Sequence, residues 1–276
     1  MTQQIALFRD RPAGSAALDV ALSRSLLMEA SRGDRGECLR IYQAKDALAF
    51  SSLDRNRPGF RKACKIAESL GYEPIVRLAG GQAAVFTEQS IAFAWIIPSK
   101  NPRTLLKERF ITTSVWIQRS LVSLGLDARV GAILGEYCPG AYSVNLRGKI
   151  KVMGVVQRIV QGAAHVGGVI CVSRSLEMKK ILTPIYDTLS YALEPETIGS
   201  LSDDLPEISL GRIADTLILH FEDKDKLEEQ KFQKPLLEEA RSFESDHRAS
   251  RFPGIPQARM LAGANKTVLG KFGADR

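Results

Sequence analysis

The stretch YSVNLRGKIKVMGVVQRIVQGAAHVGGVICV, residues 142–172, constrains the fold more than any other part of the chain. β-Branched residues alternate there with glycines and polar residues, the pattern of strands joined by hairpins, because successive side chains of a strand point to opposite faces. Such a run needs partner strands and covering helices. CLRIYQ (38–43) and ALAFSS (47–52) read as two short antiparallel strands turning at Lys45 and Asp46. EPIVRLAGG (73–81) reads as a strand ending in glycines, and AFAWII (92–97) as one stopped by Pro98.

Helical patterns alternate with these strands. Ser15 is placed to cap an amphipathic helix to Ala30, with apolar residues at 18, 22, 26 and 27. Pro58 opens a second, ending near Gly71, where a helix C-terminus favours a residue free to take positive φ. Arg103–Leu124 is expected to be the longest helix, and Ser209 to Phe221 a further one. The predicted class is α+β, a central mixed or antiparallel sheet flanked by helices, in a main domain of residues 1–222. Beyond Glu222 both charge signs mix densely. Residues 223–276 are therefore expected to be a charged, solvated helical extension and a flexible tail, frayed from Phe252.

Composition excludes several functions. The longest apolar run, Ile91 to Ile97, falls far short of the ~20 residues a spanning helix needs, so no membrane role is expected. The opening MTQQIALFRDRP carries charges where a secretory signal is apolar, which makes the cytoplasm the expected location. Cys38, Cys64, Cys138 and Cys171 form no C-x-x-C pair, and His165, His220 and His247 join no Ser-His-Asp or ligand cluster, so neither disulfide nor metal is expected. The net charge of +7 favours acidic partners but is spread too evenly for a nucleic-acid groove.

Three local patterns can carry chemistry. In RLAGGQAAVF (77–86) a glycine pair lets backbone approach a ligand, and Arg77 beside it can hold a carboxylate or phosphate. The bland alternative is a β-turn needing positive φ at Gly80 or Gly81. Cys138, in YCPGAY (137–142), is the one cysteine on a turn signal, where a thiol is accessible and a nearby cation would populate the thiolate; most cysteines are instead buried apolar residues. In GKIKVMGVVQR (148–158) Lys151 stands between apolar neighbours, as a lysine that binds a carbonyl or passes a proton would. Lys149 and Lys151 also share a strand face, which can simply be wet.

The order of these elements, R-x-x-G-G-x-A-V, then C-P-G, then G-K-x-K-x-x-G, resembles the catalytic domain shared by biotin ligases, lipoate-protein ligases and octanoyltransferases, over roughly residues 5 to 220. Within it the chain is most similar to cysteine-dependent amidotransferases that move octanoyl from the glycine-cleavage H protein to lipoyl domains of 2-oxoacid dehydrogenases. The resemblance implies that Cys138 carries the acyl group and that Lys151, three residues before Gly154, contacts the acyl carbonyl. Arg77, Gly80, Gly81, Ala84 and Gly154 would form the acyl-binding site. No cofactor is implied. An ATP-dependent ligase using free lipoate is the enzymatic alternative, and a non-catalytic binder of lipoyl domains the other. Ligases usually carry a third glycine and a histidine where this chain has Gln82 and Thr87.

Overall fold

The computed structural model describes residues 4–222 and 226–252. In chain order the first half comprises β1 (Gln4–Phe8), α1 (Ala16–Arg32), β2 (Cys38–Gln43), β3 (Ala47–Phe50), the single turn α2 (Ser52–Arg55), α3 (Phe60–Ser69), β4 (Glu73–Val76), β5 (Ala84–Phe86) and β6 (Ser90–Pro98). The second comprises α4 (Leu106–Ser123), β7 (Ala128–Val130), β8 (Val144–Leu146), β9 (Ile150–Val160), β10 (Ala163–Cys171), α5 (Ser175–Leu189), α6 (Leu210–Glu222), β11 (Lys226–Glu229) and α7 (Lys234–Glu244). Eight strands form one open sheet in the order β11-β1-β2-β6-β10-β9-β8-β7, and β4-β3-β5 form a smaller one. β1 runs parallel to both neighbours and β3 parallel to β4, while the remaining pairs are antiparallel. This is the expected mixed sheet flanked by helices.

Period-two alternation assigns the two faces of the large sheet. Leu39 and Ile41 of β2 join Phe93, Trp116 and Phe221 in a core under α4 and α6, with Trp116 meeting Phe93 and Phe221 edge-on. Arg40 points the other way, beneath α1, where it is wholly buried and donates to Asp19 Oδ1 and to the Asp19 carbonyl, both at 2.7 Å. The Ser15 hydroxyl accepts from Leu18 N at 3.0 Å and starts α1, and Gly33, at φ +84°, ends it with its N–H turned back to the carbonyl of Ala30.

Two expectations are corrected. CLRIYQ and ALAFSS are not a hairpin: β2 lies in the large sheet and β3 in the small one. Both edges of β2 are taken by β1 and β6, so β3 finds its partners elsewhere. Asp46, placed in the expected turn, accepts from Glu88 N at 2.8 Å and pairs with Arg174, tying together other segments. The charged run after Glu222 is likewise not one solvated helix. β11 pairs in parallel with β1 at the sheet edge, and α7 packs on α1 with Leu236 and Ala240 buried. The frayed end expected from Phe252 lies, beyond Phe252 itself, outside the described residues. Among the described residues no helix is long and apolar enough to cross a membrane.

Candidate active site at Cys138

The strand β4 delivers Arg77 to the edge of a cavity of about 410 Å³ enclosed by α1, the large sheet and the Arg77–Gly81 loop. Gly81 has φ +97°, and a Cβ there would lie 2.6 Å from Arg77 Nη2 and 2.8 Å from Cys138 Sγ, so only glycine lets the loop pass between them. Gly80 has no such constraint. Ser51 caps α2 and donates its hydroxyl to the Gly81 carbonyl, anchoring the loop from beneath.

Cys138 sits on the turn before β8 with φ 42°, a conformation that costs a non-glycine residue about 1–2 kcal/mol and must be held by its surroundings. Three neighbours hold it. The Cys138 N–H donates to Tyr186 Oη at 2.6 Å, and that hydroxyl donates in turn to the Ala83 carbonyl at 2.8 Å, so α5 ties the cysteine turn to the glycine loop. Lys151 Nζ donates to the carbonyls of Tyr137 and Cys138, at 2.8 and 2.7 Å. Glu136 is buried and accepts from Lys151 Nζ at 3.1 Å, Gly140 N at 3.0 Å, Ser143 Oγ at 2.7 Å and Ile133 N at 3.1 Å. The carboxylate is thus the hub of the turn, and its buried charge is matched by a lysine that is itself only 1% exposed.

The sulfur faces two donors, Gln82 N at 3.3 Å and Arg77 Nη2 at 3.6 Å. Burial alone would push the Cys138 thiol up; the charge of Arg77, then that of Lys151, then the hydrogen bonds from Arg77 and Gln82 outweigh it and bring the thiol below its ordinary value. The other cysteines go the opposite way. Desolvation drives Cys38 and Cys64 up to about 12 and Cys171 up to about 11.

From Lys151 and Gly154 the cavity follows β9 to Gln157, and along β10 it runs from Val169 to His165, four residues or about 13 Å of strand. Glycine at 154 and 167 keeps these walls low, since Lys151 and His165 lie across them. His165 is buried with Nδ1 unpartnered by any other described residue, and desolvation lowers its pKa to about 4, so the ring is neutral.

Cys138, Lys151, Arg77, Gly80, Gly81, Ala84 and Gly154 all border this one cavity. Of the two lysines of the motif, Lys149 is exposed and lies outside the cavity and Lys151 borders it. Sequence reasoning missed Glu136, Tyr186 and the Gln82 amide. Glu136 had a signal, being the only charged residue between Arg129 and Arg147, directly beside the cysteine turn. Tyr186 had none, because its role depends on where α5 packs.

A family model described as the lipoyl protein ligase A/B catalytic domain matches residues 15–222. An octanoyl-[GcvH]:protein N-octanoyltransferase of Exiguobacterium sp. strain AT1b is 28% identical over 184 residues, 63% of this chain and 65% of that protein. One from Geobacillus kaustophilus is 26% identical over 59% of this chain and 58% of its own length. The chain thus spans somewhat less than two thirds of these relatives. In fold it is similar to a bipartite lipoate protein ligase of Thermoplasma acidophilum, with TM-score 0.67 at 16% identity, covering 88% of this chain and 92% of that one. It is also similar to a lipoate-protein ligase A bound with ATP, with TM-score 0.69 at 19% identity, covering 88% and 95%.

Proposed function

The chain belongs to the lipoyl protein ligase A/B catalytic domain family, and from that premise we propose that it transfers an octanoyl or lipoyl group between protein lysines through a thioester on Cys138. The observation that carries this reading is a cysteine held at the cavity wall between Arg77 and the Gln82 amide, with its thiol below the ordinary value while the three others are raised.

The reaction balances without a co-reactant. The Cys138 thiolate attacks the carbonyl carbon of an acyl-lysine amide; an S–C bond forms, the C–N bond breaks, and the departing amine takes a proton from water. A neutral acceptor amine then attacks the thioester, C–N forms, S–C breaks, and the amine nitrogen releases a proton to solvent. One amide replaces another, so no ATP is required. The chain of the cargo lies in the cavity beside Arg77, Gly80, Gly81, Ala84 and Gly154, with Lys151 beneath the cysteine turn. The donor is a small protein of the glycine-cleavage H type, as the names of the relatives suggest, and the acceptors are lipoyl domains, met in the cytoplasm.

The test is transfer between two domains followed by mass spectrometry. With an octanoylated H-type donor and an apo lipoyl domain, and no nucleotide, the expected result is loss of one octanoyl mass from the donor and its gain by the acceptor. Modification that instead requires free lipoate and ATP, with the acylated donor inert, overturns the reading in favour of a ligase.

A further inference from the structure

Two cations flank the Cys138 sulfur, and they differ in what their hydrogens are free to do. An ammonium has three donors. Those of Lys151 are matched by Glu136 Oε1, the Tyr137 carbonyl and the Cys138 carbonyl, at 3.1, 2.8 and 2.7 Å, in a pocket that leaves the side chain 1% exposed. Turning one toward a substrate would break a bond that holds the left-handed Cys138 and would uncover part of the buried Glu136 charge. Other donors of the turn are committed as well: Cys138 N–H to Tyr186, Gln82 N–H to the sulfur, Gly140 N–H to Glu136.

Arg77 differs. Its Nη2 donates to the Gln82 carbonyl at 2.7 Å and to the sulfur at 3.6 Å, while its Nε is buried with no partner among the described residues. Nε–H and Nη2–H share one edge of a guanidinium, the fork that binds paired oxygens. The side chain lines the cavity, and Gly81, having no Cβ, lets that edge stand directly against the sulfur. We propose that Arg77 is the catalytic cation of the transfer, its Nη2 holding the thiolate and its uncommitted Nε–H donating to the oxyanion formed at the acyl carbonyl, while Lys151 and Glu136 are positioning residues of the Cys138 turn. The inference rests on the acyl-transfer reading above.

In the tetrahedral adduct the S–C bond has formed and the carbonyl electron pair has moved onto oxygen. That oxygen takes a hydrogen bond from Nε, and the sulfur, now neutral, needs Nη2 less. The groups facing the thiol are Arg77 and Lys151, with Glu136, Tyr137 and Tyr186 around them.

The experiment uses the full chain with Arg77→Met, Arg77→Lys and Lys151→Met, each checked for folding by circular dichroism. Two readouts are taken: the pH profile of Cys138 alkylation by neutral iodoacetamide, and the single-turnover burst with p-nitrophenyl octanoate. Arg77→Met is expected to move the alkylation midpoint up by about one pH unit and to slow the burst by about 10²–10³-fold. Arg77→Lys restores a charge but not the fork, so the midpoint returns toward wild type while the burst stays at least ~10-fold slow. Lys151→Met that folds is expected to keep a larger burst than Arg77→Met. Arg77→Lys rescuing both readouts, Arg77→Met changing neither, or Lys151→Met losing more burst than Arg77→Met overturns the assignment. A wild type that shows the low midpoint and the burst yet moves no octanoyl group between protein domains defeats the transferase reading alone.

Discussion

Glu136 and Cys138 are two residues apart, and the buried carboxylate of the first fixes the turn on which the second stands. A buried carboxylate accepting four hydrogen bonds and facing a buried lysine is costly to remove, because the lysine charge is then left alone. Glu136→Ala is expected to destabilise the protein by about 3–5 kcal/mol in urea unfolding. Gly81→Ala puts a methyl group where Arg77 and the sulfur already stand and demands a strained φ of +97°. It should reduce acyl transfer at least ~10-fold while the melting temperature falls only modestly. Brief iodoacetamide treatment near neutral pH, followed by peptide mapping, should label Cys138 well before Cys38, Cys64 or Cys171, whose thiols desolvation has raised. Cys138 and Lys151 were legible in the sequence because a C-P-G turn and a lysine among apolar neighbours are local signals. What was not legible is that the lysine is engaged on the turn itself, since that depends on a contact across the sheet.

Among the elements, β8, β9 and β10 form the antiparallel succession the alternating pattern implies, because hairpin neighbours are set by nearby residues. The β2–β3 hairpin failed for the complementary reason: pairing in a sheet is decided by which edges are already filled, and β1 and β6 fill both edges of β2. The charged segment differs from the expected solvated helix because its dense mixed charge hides a narrow apolar stripe. Leu236 and Ala240 are that stripe, and they close the core between α7 and α1, with Phe232 stacked on Phe8. Leu236→Ala is therefore expected to cost about 2–5 kcal/mol, measured by denaturant unfolding. A solvent-facing neighbour such as Glu238 should tolerate alanine within about 0.5 kcal/mol.

On the scale of the whole molecule, α1 and the two sheets line a cavity whose wall carries the Cys138 sulfur and whose strands carry a neutral histidine. His165 binds its proton in the unfolded chain near 6.5 but in the folded one only near about 4. The unfolded state thus holds more protons in that interval, and burial of the neutral ring contributes stability that is complete above about 6.5 and is lost as pH falls toward about 4. His247, buried against the Val76 carbonyl, is shifted the same way. Urea midpoints should fall steadily across that window, and the fall should be shallower in His165→Gln. None of this requires catalysis, so the central claim stands on a different measurement: intact mass of wild type and Cys138→Ala after incubation with an octanoylated donor protein. Wild type is predicted to gain one octanoyl mass that hydroxylamine removes, and Cys138→Ala to gain none; an unmodified wild type, or an adduct that persists without the cysteine, would contradict a thioester carried on Cys138.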